Sequence, residues 1–132
     1  MKIEGLKENG GYILCDCTGL FGVDEFIEII NQAIRYSIEK GSRTLLVNLS
    51  DVESVRLDAF QRYTIGERIA RTQLSFREIV RIAVVGREPL VESRKFAETV
   101  ALNRGAKGKA FHDLQEAIAW IKTDEKDLTE KI

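Results

Sequence analysis

The chain has 132 residues, enough for one domain that buries roughly two-thirds of its unfolded surface and too few for a second. Its 20 basic and 21 acidic side chains give a net charge of −1, without the overall basic character of a nucleic-acid binder. The longest apolar runs are four or five residues, against the roughly 20 that cross a bilayer, and MKIEGLKENG lacks a signal peptide's apolar stretch, so a soluble, cytoplasmic protein is expected.

The small net charge hides an asymmetry. Residues 1–55 carry 5 basic and 9 acidic side chains, residues 56–109 carry 12 and 6, and residues 110–132 carry 3 and 6. The middle is thus +6 between flanks of −4 and −3, a distribution able to steer an anionic partner toward one face. The arginines stand at helical spacing beside glutamates, as on a solvated helix face, with no aromatic interleaving, and no nucleic-acid partner is expected.

The opening residues form two strand-like pieces, about Lys2–Leu6 and Tyr12–Cys17, around Asn9-Gly10-Gly11, a signal for an antiparallel hairpin. Gly19-Leu20-Phe21-Gly22 is expected to break the strand, with Asp24 capping a helix to about Lys40. Phe26, Ile30, Ala33, Ile34 and Ile38 recur at three and four residues, one apolar stripe, and Gly41 supplies the stop. The run at about Thr44–Leu49 is apolar throughout, as in an interior strand covered on both faces.

Asp58 and Gln61 have capping-box spacing ahead of a helix from Ala59 to about Thr72, in which Gly66 points to a close packing contact. Val80–Val85 is a second continuous strand, and Pro89 is expected in the first turn of a helix to about Asn103 that buries Phe96, Ala97, Val100 and Ala101. A short strand, Gly108–Phe111, precedes Asp113, which with Glu116 forms another capping-box pattern. Leu114, Ala117, Ile118 and Ile121 give the last helix its inward face. Residues 123–132 are a charged tail beyond a domain of residues 1–122. The order ββαβαβαβα indicates an α/β sandwich, a mixed sheet with parallel interior strands and an antiparallel N-terminal hairpin.

Chemistry-bearing residues are sparse. Cys15 and Cys17, two apart on a strand, read as reduced thiols in the core, because a mutual disulfide is geometrically awkward there. His112 is the single histidine, so neither metal nor cofactor is expected. An acid–base enzyme requires Asp16, Asp51 and His112 to cluster in a cleft, and no local pattern joins them. We expect no catalytic activity.

The element order, LLVNLSDVESV and VRIAVVG each before a helix, and the closing GAKGKAFHDLQEAIAWI together resemble the STAS superfamily, in particular its anti-sigma-factor-antagonist-like branch. That branch is itself similar to CRAL-TRIO lipid-transfer folds. The resemblance spans about Lys2 to Lys122 and implies a STAS-like sandwich. In signalling members the strand-to-helix loop reads D-L-S-G-V-x-x-I-D-S-S-G-L, with a phosphorylated serine at the helix start. Asn48-Leu49-Ser50-Asp51-Val52 matches its first half, whereas Arg56, Leu57, Asp58, Ala59 and Phe60 replace its second. The acceptor position is therefore Asp58, which a serine kinase does not modify.

The resemblance thus implies a regulatory module that binds another protein, such as a signalling regulator, through Ser50, Asp51, Ser54, Arg56 and Asp58. Asp58 is read first as a helix cap, and Ser50 and Ser54 as turn-stabilising hydroxyls that are also candidates for modification. Leu20 and Phe21 form either an apolar patch or part of the covered sheet edge, with the inward placement favoured. The alternative function is a lipid or small apolar-ligand carrier with an enclosed pocket between a helix and the sheet. A homodimer through exposed apolar residues is a further expectation.

Overall fold

The turn at Asn9-Gly10-Gly11 closes the first hairpin, with Gly10 and Gly11 at φ of 59° and 97°, values that glycine adopts without steric cost. A computed structural model of the protein describes residues 1–75, 81–91 and 108–123. Within them lie β1 (Lys2–Asn9), β2 (Tyr12–Leu20), α1 (Val23–Glu39), β3 (Thr44–Glu53), α2 (Ala59–Ser75), β4 (Arg81–Val85), β5 (Gly108–Phe111) and α3 (Leu114–Ile121). The strands form one sheet in the order β1-β2-β3-β4-β5, antiparallel between β1 and β2 and parallel thereafter. This is the α/β mixed sheet that the alternation of strands and helices implies.

The continuous apolar strands are covered on both faces. Ile13, Cys15, Cys17, Leu45, Val47, Leu49 and Ile82 pack with Phe26, Ile30 and Ile34 of α1 and Ile65 of α2. On the opposite face Tyr12, Leu46, Ala83, Val85 and Phe111 pack with Ala117 and Ile121 of α3. Each fully buried leucine or isoleucine contributes about 1.5–3 kcal/mol of transfer free energy, so the two cores dominate stability. Gly66 is buried within α2.

Several boundaries differ from the sequence reading. Strand β2 runs on through Gly19, which sits at φ 99° and whose Cβ, if present, would lie 3.0 Å from the Cα of Met1. The expected break at Gly19 is thus a continuation that glycine makes possible. Because β2 reaches Leu20, α1 begins at once behind Gly22, an extended N-cap with no side-chain bond. Asp24 stands two residues past the N-cap and instead pairs with Arg68 of α2 at 2.7 Å. The end of α1 is as expected: Gly41 and Ser42 return their amides to the carbonyls of Ile38 and Ser37.

Pro89 sits within a single turn closed between residues four apart, and what directly follows Val91 lies outside the described residues. Glu88–Leu90 form a turn with a cis Glu88–Pro89 peptide, the Leu90 amide bonds the Ser54 hydroxyl, and the Val91 amide bonds the Arg87 carbonyl. The helix expected to follow, with Phe96, Ala97, Val100 and Ala101, and the tail from residue 124 lie outside the described residues. Asp113 caps α3 through the Gln115 amide at 2.9 Å, and Glu116 makes no return bond among the described residues. Leu114 is exposed at this end, so the inward face of α3 rests on Ala117 and Ile121, with Ile118 and Trp120 partly buried beside them. No helix among the described residues is long and apolar enough to cross a membrane.

Candidate functional site at the carboxyl ends of the strands

In a parallel sheet the loops that leave the carboxyl ends of the strands gather on one side, which is where surfaces for ligands and partners are built. Here β3 continues to Glu53, four residues beyond the expected Leu49, so Ser50 and Asp51 belong to the strand rather than to a loop. The extension is supported by pairing of Thr18, Gly19 and Leu20 with Asp51, Val52 and Glu53. Ser50 is turned into a polar network on the sheet: its amide and hydroxyl both donate to Asn48 Oδ1, at 3.1 and 2.7 Å, and Asn48 Nδ2 donates to Asp16 Oδ1 at 3.0 Å. Asp51 is exposed opposite Thr18.

The true loop is residues 54–58, and it is anchored along its length. Ser54 Oγ donates to the Arg87 carbonyl at 3.2 Å and accepts from the Leu90 amide at 3.0 Å, tying the loop to the turn after β4. Val55 is half-buried and Leu57 fully buried in the core. At the far end the capping box forms in both directions: Gln61 N donates to Asp58 Oδ1 at 2.7 Å, and Asp58 N donates to Gln61 Oε1 at 2.9 Å. The Asp58 carbonyl also accepts from the Arg62 amide, which starts the α2 ladder.

Anchoring from beneath leaves Arg56 and Asp58 exposed. Beside them Phe60 is 77% exposed and Tyr63 41% exposed. Neither aromatic was singled out from the sequence as a site residue, yet a signal is there. Phe60 stands five positions before the buried Ile65, about 140° around the helix axis, and so cannot share its inward face. Leu20 and Phe21 divide: Leu20 is 55% exposed opposite Glu53, whereas Phe21 is 8% exposed, its ring 5.3 Å from that of Phe26. At this end the described residues expose Leu20 at the end of β2, Arg56 and Asp58 in the loop, and Phe60 and Tyr63 on the first turns of α2. Ser50 and Ser54 are instead tied into hydrogen bonds with Asn48 and with the turn after β4.

The candidate acid–base residues are not brought together. Asp16 lies on β2 against Asn48, and His112 follows β5, three strands away or roughly 14 Å across the sheet. His112 Nε2 is 2.7 Å from the Val91 carbonyl and helps to hold the turn after β4. Among the described residues no three His, Cys, Asp or Glu side chains are placed to hold a metal ion. A groove of about 420 Å³ between β1 and α1 is lined by Lys2, Asp24, Glu25, Glu28 and Gln32, with Ile3 and Ile29. Two of its carboxylates are already paired, Asp24 with Arg68 and Glu25 with the N-terminal ammonium.

A sequence profile of the family described as SpoIIAA-like matches residues 13–122. Among solved structures the chain is similar to an anti-sigma factor antagonist from Mycobacterium paratuberculosis, with 18% identity, a TM-score of 0.57, and 92% of this chain and 94% of that one covered. It is also similar to the anti-sigma factor antagonist SpoIIAA in its unphosphorylated form, with 13% identity, a TM-score of 0.49, and 93% and 100% covered. No curated protein sequence matches. At these identities the first structural likeness speaks for a shared fold.

Proposed function

The chain belongs to the SpoIIAA-like family of the STAS superfamily, and from that membership we propose that it is a non-catalytic regulatory module that docks a partner protein on the surface formed by Leu20, Arg56, Asp58, Phe60 and Tyr63. The observation that carries the reading is the construction of the 54–58 loop. Ser54 and Leu57 hold it from below and the Asp58–Gln61 box holds its end, while an arginine, an aspartate and a large aromatic face outward. Such a surface loses little conformational entropy on binding, and a solvent-exposed aromatic beside an arginine is the composition of an interface anchor.

Asp58 stands where signalling members carry the phospho-acceptor, and it is engaged as a helix cap, so docking here proceeds without a serine-kinase switch at that position. The test is calorimetric titration of the protein against regulatory proteins encoded by neighbouring genes. Arg56→Glu and Phe60→Ala should each weaken the complex at least about tenfold, whereas Glu28→Ala in the groove beside α1 should not. Wild-type affinity in both loop variants, with folding intact, would remove this surface from consideration.

A further inference from the structure

Strand β2 falls out of step with both neighbours at one place. Toward β1 the pairing passes from Ile3↔Cys17 to Gly5↔Asp16, leaving Glu4 over. Toward β3 it passes from Asp16↔Asn48 to Thr18↔Asp51, so that Leu49 and Ser50 together face Cys17. Two irregularities therefore flank the same step of one strand, and such bulges are where a strand bends most easily. The two cysteines sit at this step. Their side chains share one face, as residues two apart on a strand do, with the sulfurs 3.8 Å apart and both residues buried, 0% and 1% exposed.

We infer that Cys15 and Cys17 are a reversible dithiol–disulfide pair whose oxidation loosens the ends of β2 and β3 that carry the docking surface. The second half of this inference rests on the proposed docking role. The hydrogen bond between the thiols draws Cys17 below the ordinary thiol range, and the same bond together with burial pushes Cys15 up. In the proposed sequence Cys17, which lies at the bulged step itself, reacts first. Its sulfur attacks one oxygen of a hydroperoxide as the O–O bond breaks, giving a sulfenic acid and releasing water or an alcohol. Cys15 then attacks that sulfur, its proton leaves with the sulfenic oxygen as water, and the S–S bond forms. Two electrons pass from the two sulfurs to the peroxide.

Bond formation must bring the sulfurs from 3.8 Å to about 2.05 Å. Closing a ring across one residue requires β2 to pucker, and the slack lies in the flanking bulges. A disulfide under such strain is readily reduced, which marks it as responsive rather than structural. The pucker draws Cys17 back and takes Thr18, Gly19 and Leu20 with it, away from Asp51, Val52 and Glu53, which lead into the 54–58 loop. Burial restricts the oxidant to small hydroperoxides that enter by local opening.

The test uses the full chain treated with hydrogen peroxide, quenched by alkylation in denaturant, and read by intact mass, peptide mapping and hydrogen exchange. We expect both thiols to be lost to alkylation with a mass two hydrogens lower, reversibly with dithiothreitol. The amides of Thr18–Leu20 and Asp51–Glu53 should exchange about tenfold faster in the oxidised form. Cys15→Ala and Cys17→Ala, each checked by thermal melt, should show no link, and the wild-type result stands without them. Thiols that remain alkylatable at a peroxide dose that oxidises the urea-unfolded chain, or that pass to sulfinic acid without a link, would show an inert core pair. A link that leaves exchange at Asp51–Glu53 unchanged would overturn the switch and leave the docking surface standing, since docking is measured separately on the reduced protein.

Discussion

Ser54 accepts a hydrogen bond from the amide of Leu90 at 3.0 Å while donating to the Arg87 carbonyl at 3.2 Å, so one hydroxyl joins the loop after β3 to the turn after β4. Both partners lie more than 30 residues further along the chain, 33 and 36 positions away. We expect Ser54→Ala to strand the part-buried Leu90 amide and to cost about 1–2 kcal/mol. Denaturant melts measure the cost, and faster hydrogen exchange at Leu90 would place it. Exchange at Leu90 unchanged from wild type would deny the hydroxyl its bridging role.

Asp58 and Gln61 satisfy two otherwise orphaned amides at the start of α2. Replacing Asp58 by alanine should therefore cost about 1 kcal/mol, and replacing it by serine only a few tenths, because serine is an equally good cap. Chemical denaturation of the two variants separates them. Equal stability of Asp58→Ala and wild type, with partner affinity lost, would assign Asp58 to recognition instead.

Phe60 and Phe26 have the same side chain and opposite surroundings, 77% exposed on α2 and 3% exposed on the inward face of α1. Truncating Phe26 to alanine should cost about 3–5 kcal/mol through lost burial and the cavity left behind. Truncating Phe60 should leave stability within about 0.5 kcal/mol and be felt in partner affinity alone. A large stability loss at Phe60 would mean that it is covered in solution, by α2's surroundings or by a second copy of the chain.

What was legible in the sequence depended on how local its cause is. The Asp58–Gln61 box is a three-residue pattern, and the strands around Leu45–Val47 and Ile82–Val85 announce themselves because burial on both faces demands unbroken apolar runs. The lengths of β2 and β3 depend on partners instead. Gly19 is a turn residue by composition and a strand residue by pairing with Val52, and that pairing in turn keeps Ser50 and Asp51 in β3. Once β2 reaches Leu20, the cap expected at Asp24 is displaced, which no local pattern reveals. Ser54 reads as a loop hydroxyl because its two partners are remote. Phe60 is the exception, since its angular position relative to Ile65 could have been counted.

Gly86 leaves β4 with its amide bonded to the Phe111 carbonyl at 3.1 Å, and a Cβ there would lie 2.7 Å from Cγ2 of Val91. Valine is stiff about χ1 and Val91 is buried, so the contact is not relieved by a side-chain swing. Gly86→Ala should cost about 1–3 kcal/mol, an overpacking penalty. The double variant Gly86→Ala/Val91→Ala should recover part of that loss relative to the sum of the singles, as residues in contact are non-additive. Strict additivity in the thermodynamic cycle would show that the turn moves aside freely.

Glu4 on the edge strand accepts a hydrogen bond from the Thr18 hydroxyl at 2.8 Å and lies 3.3 Å from the Lys2 ammonium. The Thr18 bond, and after it Lys2, lower the Glu4 carboxyl below its ordinary value of 4.5. A carboxyl depressed in the folded state favours folding at pH above its unfolded value, and that contribution is lost as pH falls through the folded value. The effect therefore belongs to the acid limb, below about pH 4.5, and is absent from any change between neutral and alkaline pH. Glu4 is exposed, so water and salt screen the pair and the gain in stability is small. The titration itself is the sharper readout. In Thr18→Val, which keeps the β-branched shape and removes the donor, the Glu4 carboxyl should titrate closer to 4.5 by NMR, with the remaining depression due to Lys2 reduced by added salt. An unchanged Glu4 titration in Thr18→Val would show that the hydroxyl is not its principal partner.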